Sequence, residues 1–317
     1  MSSSINTADE MTTSESAMLL CCASCGIAEV DDVKLKECAT CDLARFCSDT
    51  CQENHKSQHE EACKKRAAEL RDELLFKQPD SSHLGDCPIC CLPLQLDLSK
   101  STLKLCCSKV ICIGCNYANM RRELEEGRRE SKCPFCRKPL PETDEEGDKR
   151  IMKRVEANDP VAMTQWGRDQ YVKGDYSVAF EYYTRAVELG DVEAHHQISI
   201  LYHHGRGIEK DEKKELYHME EAAIGGHPDA RYNLACYEGR KRRHDRAVKH
   251  FSIAAAQGFD ESIKFLLTMF KDGRLGNYSK DILAAALRAY QAAVDATKSP
   301  QREAAEELQR RIKSGER

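Results

Sequence analysis

From about residue 151 onward the apolar positions fall at helical spacing, and the pattern repeats. The segments RAVELG, EAAIGG and IAAAQG end at Gly190, Gly226 and Gly258, each with an alanine four residues earlier, at Ala186, Ala222 and Ala254. Intervals of 36 and 32 residues suit a helix–turn–helix unit. Each unit opens with a small residue and a large one a turn later: Ala162 and Trp166, Ala194 and Ile198, Ala230 and Leu234, then Ser262 and Leu266. Small residues let paired helices approach, and the large ones fill the space between them. The pattern predicts an all-α helical-repeat solenoid within residues 159–317, its units running to about residue 298; a generic helical bundle is the competing arrangement. Ser299 and Pro300 stand at cap and first-turn positions of SPQREAAEELQRR, which predicts a C-terminal capping helix.

Upstream, KKRAAELRDELLF places Ala67, Leu70 and Leu74 on one helical face, which predicts a short helix ending near KQPDSS in a linker over 64–86. PLPETDEEGDKR, residues 139–150, combines proline, glycine and a run of acids and reads as a linker; residues 140–158 are assigned to this acidic linker and a helix. The opening MSSSINTADEMTTSES is too polar to bury a core, so residues 1–20 are predicted to be a disordered tail.

A formal net charge of -5 argues against nucleic acid as a partner, and the basic run RKRRHDR at 240–246 is explained by a solvated helix end. No apolar stretch approaches the roughly 20 residues needed to cross a bilayer, and the first residues lack the basic start and apolar core of a signal peptide. The expected location is therefore cytoplasmic or nuclear, without a membrane. Of 18 cysteines, all but Cys236 lie between Cys21 and Cys136. In a reducing compartment such a distribution points to metal rather than disulfides.

The first cysteine block, residues 21–63, offers C-x2-C at Cys22 and Cys25, C-x2-C at Cys38 and Cys41, C-x3-C at Cys47 and Cys51, then His59 and Cys63. Eight ligands suffice for two tetrahedral zincs. The string FCSDTCQENHKSQHEEAC resembles the second half of a MYND zinc finger. That resemblance implies interleaved sites, Cys22, Cys25, Cys47 and Cys51 for one zinc and Cys38, Cys41, His59 and Cys63 for the other, with Cys21 spare. His55 is expected to be an exposed helix residue, His59 having the family spacing to Cys63. Lys56 stands where these fingers often carry tryptophan, which bears on the short proline-containing peptides such fingers commonly bind.

The second block, residues 87–139, has three pairs at the spacing of a RING-type zinc finger: Cys87 and Cys90 in CPICC, Cys112 and Cys115 in CIGC, Cys133 and Cys136 in CPFCRKP. A RING usually has a histidine where this chain has Lys109, and a protonated lysine has no lone pair for a metal. Two completions stay open. Cys106 and Cys107 could both join Cys133 and Cys136 in an all-cysteine variant, which requires the backbone to turn at 106–107 because neighbouring side chains on a strand point oppositely. Alternatively Cys107 alone could serve, with Cys91 or water as the other donor. Interleaving leaves Cys87, Cys90, Cys112 and Cys115 for the remaining zinc. Cys91 is otherwise expected to be a small buried filler.

These readings give small zinc-stabilised α+β modules followed by a helical solenoid, four zinc ions per chain, and protein substrates or peptides as partners. The helical part resembles Sel-one-like repeats, a branch of the tetratricopeptide solenoids, closely at YHHGRGIEKDEKKELYHMEEAAIGG and with a shortened turn in YEGRKRRHDRAVKHF. The RING resemblance implies a ubiquitin ligase that orients a charged ubiquitin-conjugating enzyme without a covalent intermediate. On that resemblance Ile89 and Pro134 would contact the enzyme, and Arg137 would stand where many active RINGs place an arginine touching both enzyme and ubiquitin. An ordinary solvated charge is the competing role for Arg137. The competing function is a non-enzymatic adaptor. A methyltransferase carrying a MYND insert is set aside, because no recognisable catalytic segment flanks the finger.

Overall fold

The protein is described here from a computed structural model covering residues 21–27, 29, 34–128, 131–273 and 280–315. The tail expected over residues 1–20 lies outside the described residues. The chain divides into two compact units, Met1–Lys77 and Gln78–Arg317.

In the first unit, β1 (Lys36–Glu37) pairs antiparallel with β2 (Arg45–Phe46), Lys36 opposite Phe46. Helix α1 follows over Asp49–Leu75, its first turn capped by Ser48, whose hydroxyl accepts the Cys51 N–H at 3.2 Å. The short helix expected over KKRAAELRDELLF is thus the second half of one 27-residue helix, uninterrupted because no glycine or proline falls within it. Its inner row also differs: Leu75 is buried and Leu74 is 55% exposed, so the row runs through Ala67 and Leu75 in steps of four. The core consists of Cys22, Cys38, Cys41, Ala44 and Phe46.

The second unit opens with β3 (Ser101–Lys104) and β4 (Lys109–Cys112), an antiparallel hairpin pairing Lys104 with Lys109. Helix α2 (Ile113–Glu125) follows directly. Helix α3 (Asp144–Glu156) begins inside the stretch read as a linker. There the Thr143 hydroxyl accepts the Glu146 N–H at 3.2 Å, and the Glu146 carboxylate accepts the Glu142 N–H at 3.0 Å. The acids that suggested a linker occupy the first turn, where the helix dipole favours them.

The repeats are α4 (Pro160–Lys173), α5 (Tyr176–Glu188), α6 (Val192–His204), α7 (Glu212–Ile224), α8 (Pro228–Arg240), α9 (His244–Ala256), α10 (Asp260–Lys271) and α11 (Lys280–Ala296). Ala186, Ala222, Ala254, Ala194, Ala230 and Ser262 are fully buried, with Ile198, Leu234 and Leu266 beside them. Gly190, Gly226 and Gly258 end α5, α7 and α9 at φ 83°, 85° and 87°, a left-handed conformation that costs glycine little. Between α6 and α7, Gly207 is required twice over: its φ is 72°, and a Cβ there would stand 2.7 Å from the Ser177 nitrogen. The shortened turn of the third unit instead uses Arg242 at φ 60°. Among the described residues no helix is long and apolar enough to cross a membrane.

The closing helix α12 (Pro300–Ser314) is capped as expected, the Ser299 hydroxyl accepting the Arg302 N–H at 3.3 Å with Pro300 in the first turn. Expected to cap the repeats, it packs instead on α2 of the second cysteine block. The face used is Arg302, Glu306 and Gln309: Glu306 pairs with Lys100 at 2.7 Å, and Gln309 donates to the Ser99 carbonyl at 3.3 Å. Gly114 of α2 allows the approach, since a Cβ there would lie 2.7 Å from the Arg302 nitrogen.

Candidate metal centres

Four groups of four ligand-capable side chains converge: Cys22, Cys25, Cys47 and Cys51; Cys38, Cys41, His59 and Cys63; Cys87, Cys90, Cys112 and Cys115; Cys106, Cys107, Cys133 and Cys136. Within each, all ligand atoms lie within 4.8 Å of one another. A tetrahedral zinc with Zn–S of about 2.3 Å sets neighbouring sulfurs about 3.8 Å apart. The separations fit: Cys25–Cys47 and Cys47–Cys51 at 3.6 Å, Cys38–Cys63 at 3.8 Å, Cys90–Cys112 at 3.8 Å, Cys107–Cys133 at 3.9 Å and Cys106–Cys136 at 3.3 Å. Cys41 Sγ stands 3.2 Å from His59 Nε2. Each shell is complete without water, the arrangement of a structural rather than a catalytic zinc.

Thiols this close oppose one another's ionisation. The Cys112 thiol beside Cys87 draws the latter's pKa down, while Cys112 itself is pushed well above the usual thiol range by Cys87 and by burial. A divalent cation among them removes that conflict and lets all four ionise.

The local backbone explains the convergence. After the second cysteine of three C-x2-C pairs, Gly26, Cys91 and Arg137 take φ 74°, 55° and 63°. Each returns its N–H to the carbonyl of the first cysteine: Cys22 at 2.8 Å, Cys87 at 2.8 Å and Cys133 at 2.9 Å. This tight turn sets both thiols facing one point. It also corrects the expected role of Cys91, which is exposed rather than a buried filler, because the left-handed turn carries its side chain outward.

Cys106 and Cys107 lie in the turn between β3 and β4. The Cys107 and Ser108 N–H groups both donate to the Lys104 carbonyl, at 3.1 and 2.8 Å, and Ser108 has φ 52°. The chain folds back there, so adjacent thiols face the same cluster. Lys109 is exposed and pairs through its backbone with Lys104. Serine at either cysteine is expected to lower the zinc content by about one, with Lys109→Ala leaving it unchanged. Metal analysis in which only Cys107→Ser loses zinc would refute the adjacent-pair arrangement.

His55 belongs to no cluster. It is half-buried, not exposed as expected, because its ring packs on Phe46 at 5.9 Å between centroids. Lys56 is exposed and pairs with Glu53 at 3.1 Å. Ile89 is 41% exposed at the first turn of the second block, Pro134 is half-buried, and Arg137 donates to Asn119 Oδ1 at 2.7 Å.

A fifth group, His83, Glu193 and His227, escaped sequence reasoning because its members are far apart in the chain. Glu193 Oε2 lies 3.3 Å from His83 Nε2 and 3.0 Å from His227 Nε2, and Oε1 accepts from Arg168 and Gln197 at 2.7 Å each. His227 Nδ1 accepts the Ala230 N–H at 3.3 Å, which leaves the ring proton on Nε2 to be donated to Glu193. The two imidazoles are stacked, centroids 4.1 Å apart and planes 13° apart, so their in-plane lone pairs run side by side instead of meeting at a metal. Burial pushes the Glu193 carboxyl up, but hydrogen bonds from His227 and His83 outweigh it and hold the group well below the usual carboxylate range. The trio is a carboxylate gripped by donors, tying residue 83 to the repeats.

Family models match a MYND finger at residues 22–63 and Sel1 repeats at 162–191, 192–227 and 228–259. Similar solved structures include a Sel1 repeat protein from Oxalobacter formigenes, 26% identical, covering 50% of this chain and 66% of that one with a TM-score of 0.42. Another is a protective antigen present in uropathogenic Escherichia coli strains that displays an SLR fold, 20% identical, covering 57% of this chain and 38% of that one with a TM-score of 0.41. The matches thus span less than two thirds of either chain's own length. No curated protein matches the sequence. The finger and the cysteine clusters indicate zinc binding, and a zinc finger joined to such repeats is the make-up of a protein-interaction adaptor. The chain carries a MYND finger followed, beyond two further tetracysteine clusters, by a Sel1-repeat solenoid.

Proposed function

We propose that the protein binds four zinc ions, one in each cluster, and that its second cysteine block is a RING-type module presenting a ubiquitin-conjugating enzyme to proteins held by the repeats and the finger. The observation that carries this reading is the crossed pairing of the second block. Its first cysteine pair is clustered with its third, and its second with its fourth, along a hairpin followed by one helix. Such a module catalyses by orientation: it holds the charged enzyme and ubiquitin in reactive geometry and forms no bond itself. Ile89 offers an apolar contact on the first turn, and Arg137 offers donors beside the last cysteine.

Arg137→Ala is expected to slow ubiquitin discharge tenfold or more while zinc content and folding persist, since an exposed side chain after the last ligand supports no core. Ile89→Ala should weaken enzyme binding itself. A discharge assay over a broad panel of conjugating enzymes is the test. Wild-type protein with four zincs that discharges none of them is an adaptor, the reading that the finger and repeats support without a ligase.

A further inference from the structure

Three of the ligand cysteines near α12 are almost inaccessible: Cys87 is 0% exposed, Cys112 1% and Cys115 6%. Four thiolates around a divalent ion carry a net double negative charge, which is unfavourable in so dry a place unless positive charge or donors stand next to it. One buried cation does. Arg302, near the other end of the chain, is 1% exposed. Its Nη1 donates to the carbonyls of Pro93 and Thr297, both at 2.7 Å, and its Nη2 to the Leu92 carbonyl at 3.1 Å and to Cys90 Sγ at 3.5 Å. Three carbonyls fix the planar fork so that its remaining donor meets the sulfur of a ligand. Cys112 is within the reach of the same charge.

We propose that Arg302 is the outer counter-cation of the metal held by Cys87, Cys90, Cys112 and Cys115, so that the closing helix of the chain is part of that metal centre. The guanidinium withdraws charge from the Cys90 thiolate and offsets half of the cluster's net charge. Gly114, inside the C-x2-C of Cys112 and Cys115, supplies the clearance that lets the helix come this near. The cysteines of a zinc module are thereby completed by a residue of another element, one that their own spacing does not announce.

This inference rests on the reading of that cluster as a zinc site, and the full-length chain tests the two separately. Outer partners of a metal site typically change affinity 10- to 100-fold. In Arg302→Gln, whose helical signal reports folding, one zinc of four should leave to a competing chelator at least tenfold faster than in wild type. In Arg302→Lys, which keeps the charge, release should stay within about threefold of wild type. The cobalt-substituted protein gives a second readout: the sulfur-to-cobalt charge-transfer band should move in Arg302→Gln, whereas a merely structural role would leave it in place. Unchanged release and an unmoved band in folded Arg302→Gln overturn the proposal. If that variant does not fold, tenfold faster release from folded Arg302→Lys overturns it. Two zincs in the wild-type protein would instead remove the reading beneath it.

Discussion

Stripping zinc with a strong chelator is expected to unfold both cysteine blocks and to leave the repeats standing. Structural zinc contributes apparent binding energies of about 10 to 16 kcal/mol per site, as much as the whole stability of a typical domain, about 5 to 15 kcal/mol. The first unit has little else to hold it: three of its five core residues, Cys22, Cys38 and Cys41, are themselves ligand candidates. The repeat core is of another kind. Ala186, Ala194, Ile198, Leu201, Ala235 and Phe251 pack without any zinc-cluster residue. Hydrogen exchange should therefore show residues 22–139 losing protection on chelation, and residues 160–260 keeping theirs. Helix α12 should be released with the second block, because the face carrying Arg302, Glu306 and Gln309 is applied to that block. Collapse of the repeat helices on chelation, or a metal content of two, would defeat this account.

Acid should weaken the repeats well before it reaches the ordinary carboxylates. His196 is 9% exposed and His250 is fully buried. Burial pushes each of them down to about 3, with His227 adding to the effect on His196 and Arg231 and Arg246 adding to it on His250. A histidine whose folded pKa is depressed stays neutral in the native state while the unfolded chain takes up a proton below about 6.5. Stability is therefore lost as pH falls from that value toward the folded pKa. At pH 5 the loss is about 2 kcal/mol for each, and about 4 kcal/mol for the pair. Glu193, whose folded pKa is depressed, adds to the loss only at the acid end of this window, where the unfolded carboxylate takes up a proton and the native one does not. Denaturation midpoints of wild type and of His196→Leu at pH 7 and 5 measure the effect, and the substitution should remove about 2 kcal/mol of the loss, the other histidines that burial depresses, His218, His227 and His250 among them, keeping the rest. An identical slope in the variant would show that this histidine does not carry it.

The repeats were legible because their geometry is local. An alanine four residues before a left-handed glycine is one helical turn, and a small residue one turn before a large one is the inner face of a pair, so Ala186 with Gly190 and Ala230 with Leu234 declare their positions. The spacing of the cysteines announced the clusters for a similar reason: C-x2-C fits one tight turn. The spacing did not reveal that Cys91 and Arg137 must occupy the left-handed position of that turn, since neither is a residue type that favours it. The start of α3 was hidden by its own acids, which look like a linker until Thr143 is seen to cap them. His83, His227 and Arg302 were out of reach altogether. What they do depends on which element lies against which, and no local spacing carries that.

The position of Arg302 also bears on the order in which the molecule can be completed during synthesis. A ribosome releases Cys87 through Cys136 long before it reaches residue 302, and domains generally fold from the N-terminus as they emerge. Throughout that interval the nascent chain can gather the four thiolates of the Cys87 cluster but lacks the guanidinium that sits on Cys90 in the finished protein. The first finger needs nothing beyond its own unit to close its ligand shells. The two zinc modules are therefore neighbours in sequence but not in time, and a chain that stops short of its last helix leaves the second one without its closing charge.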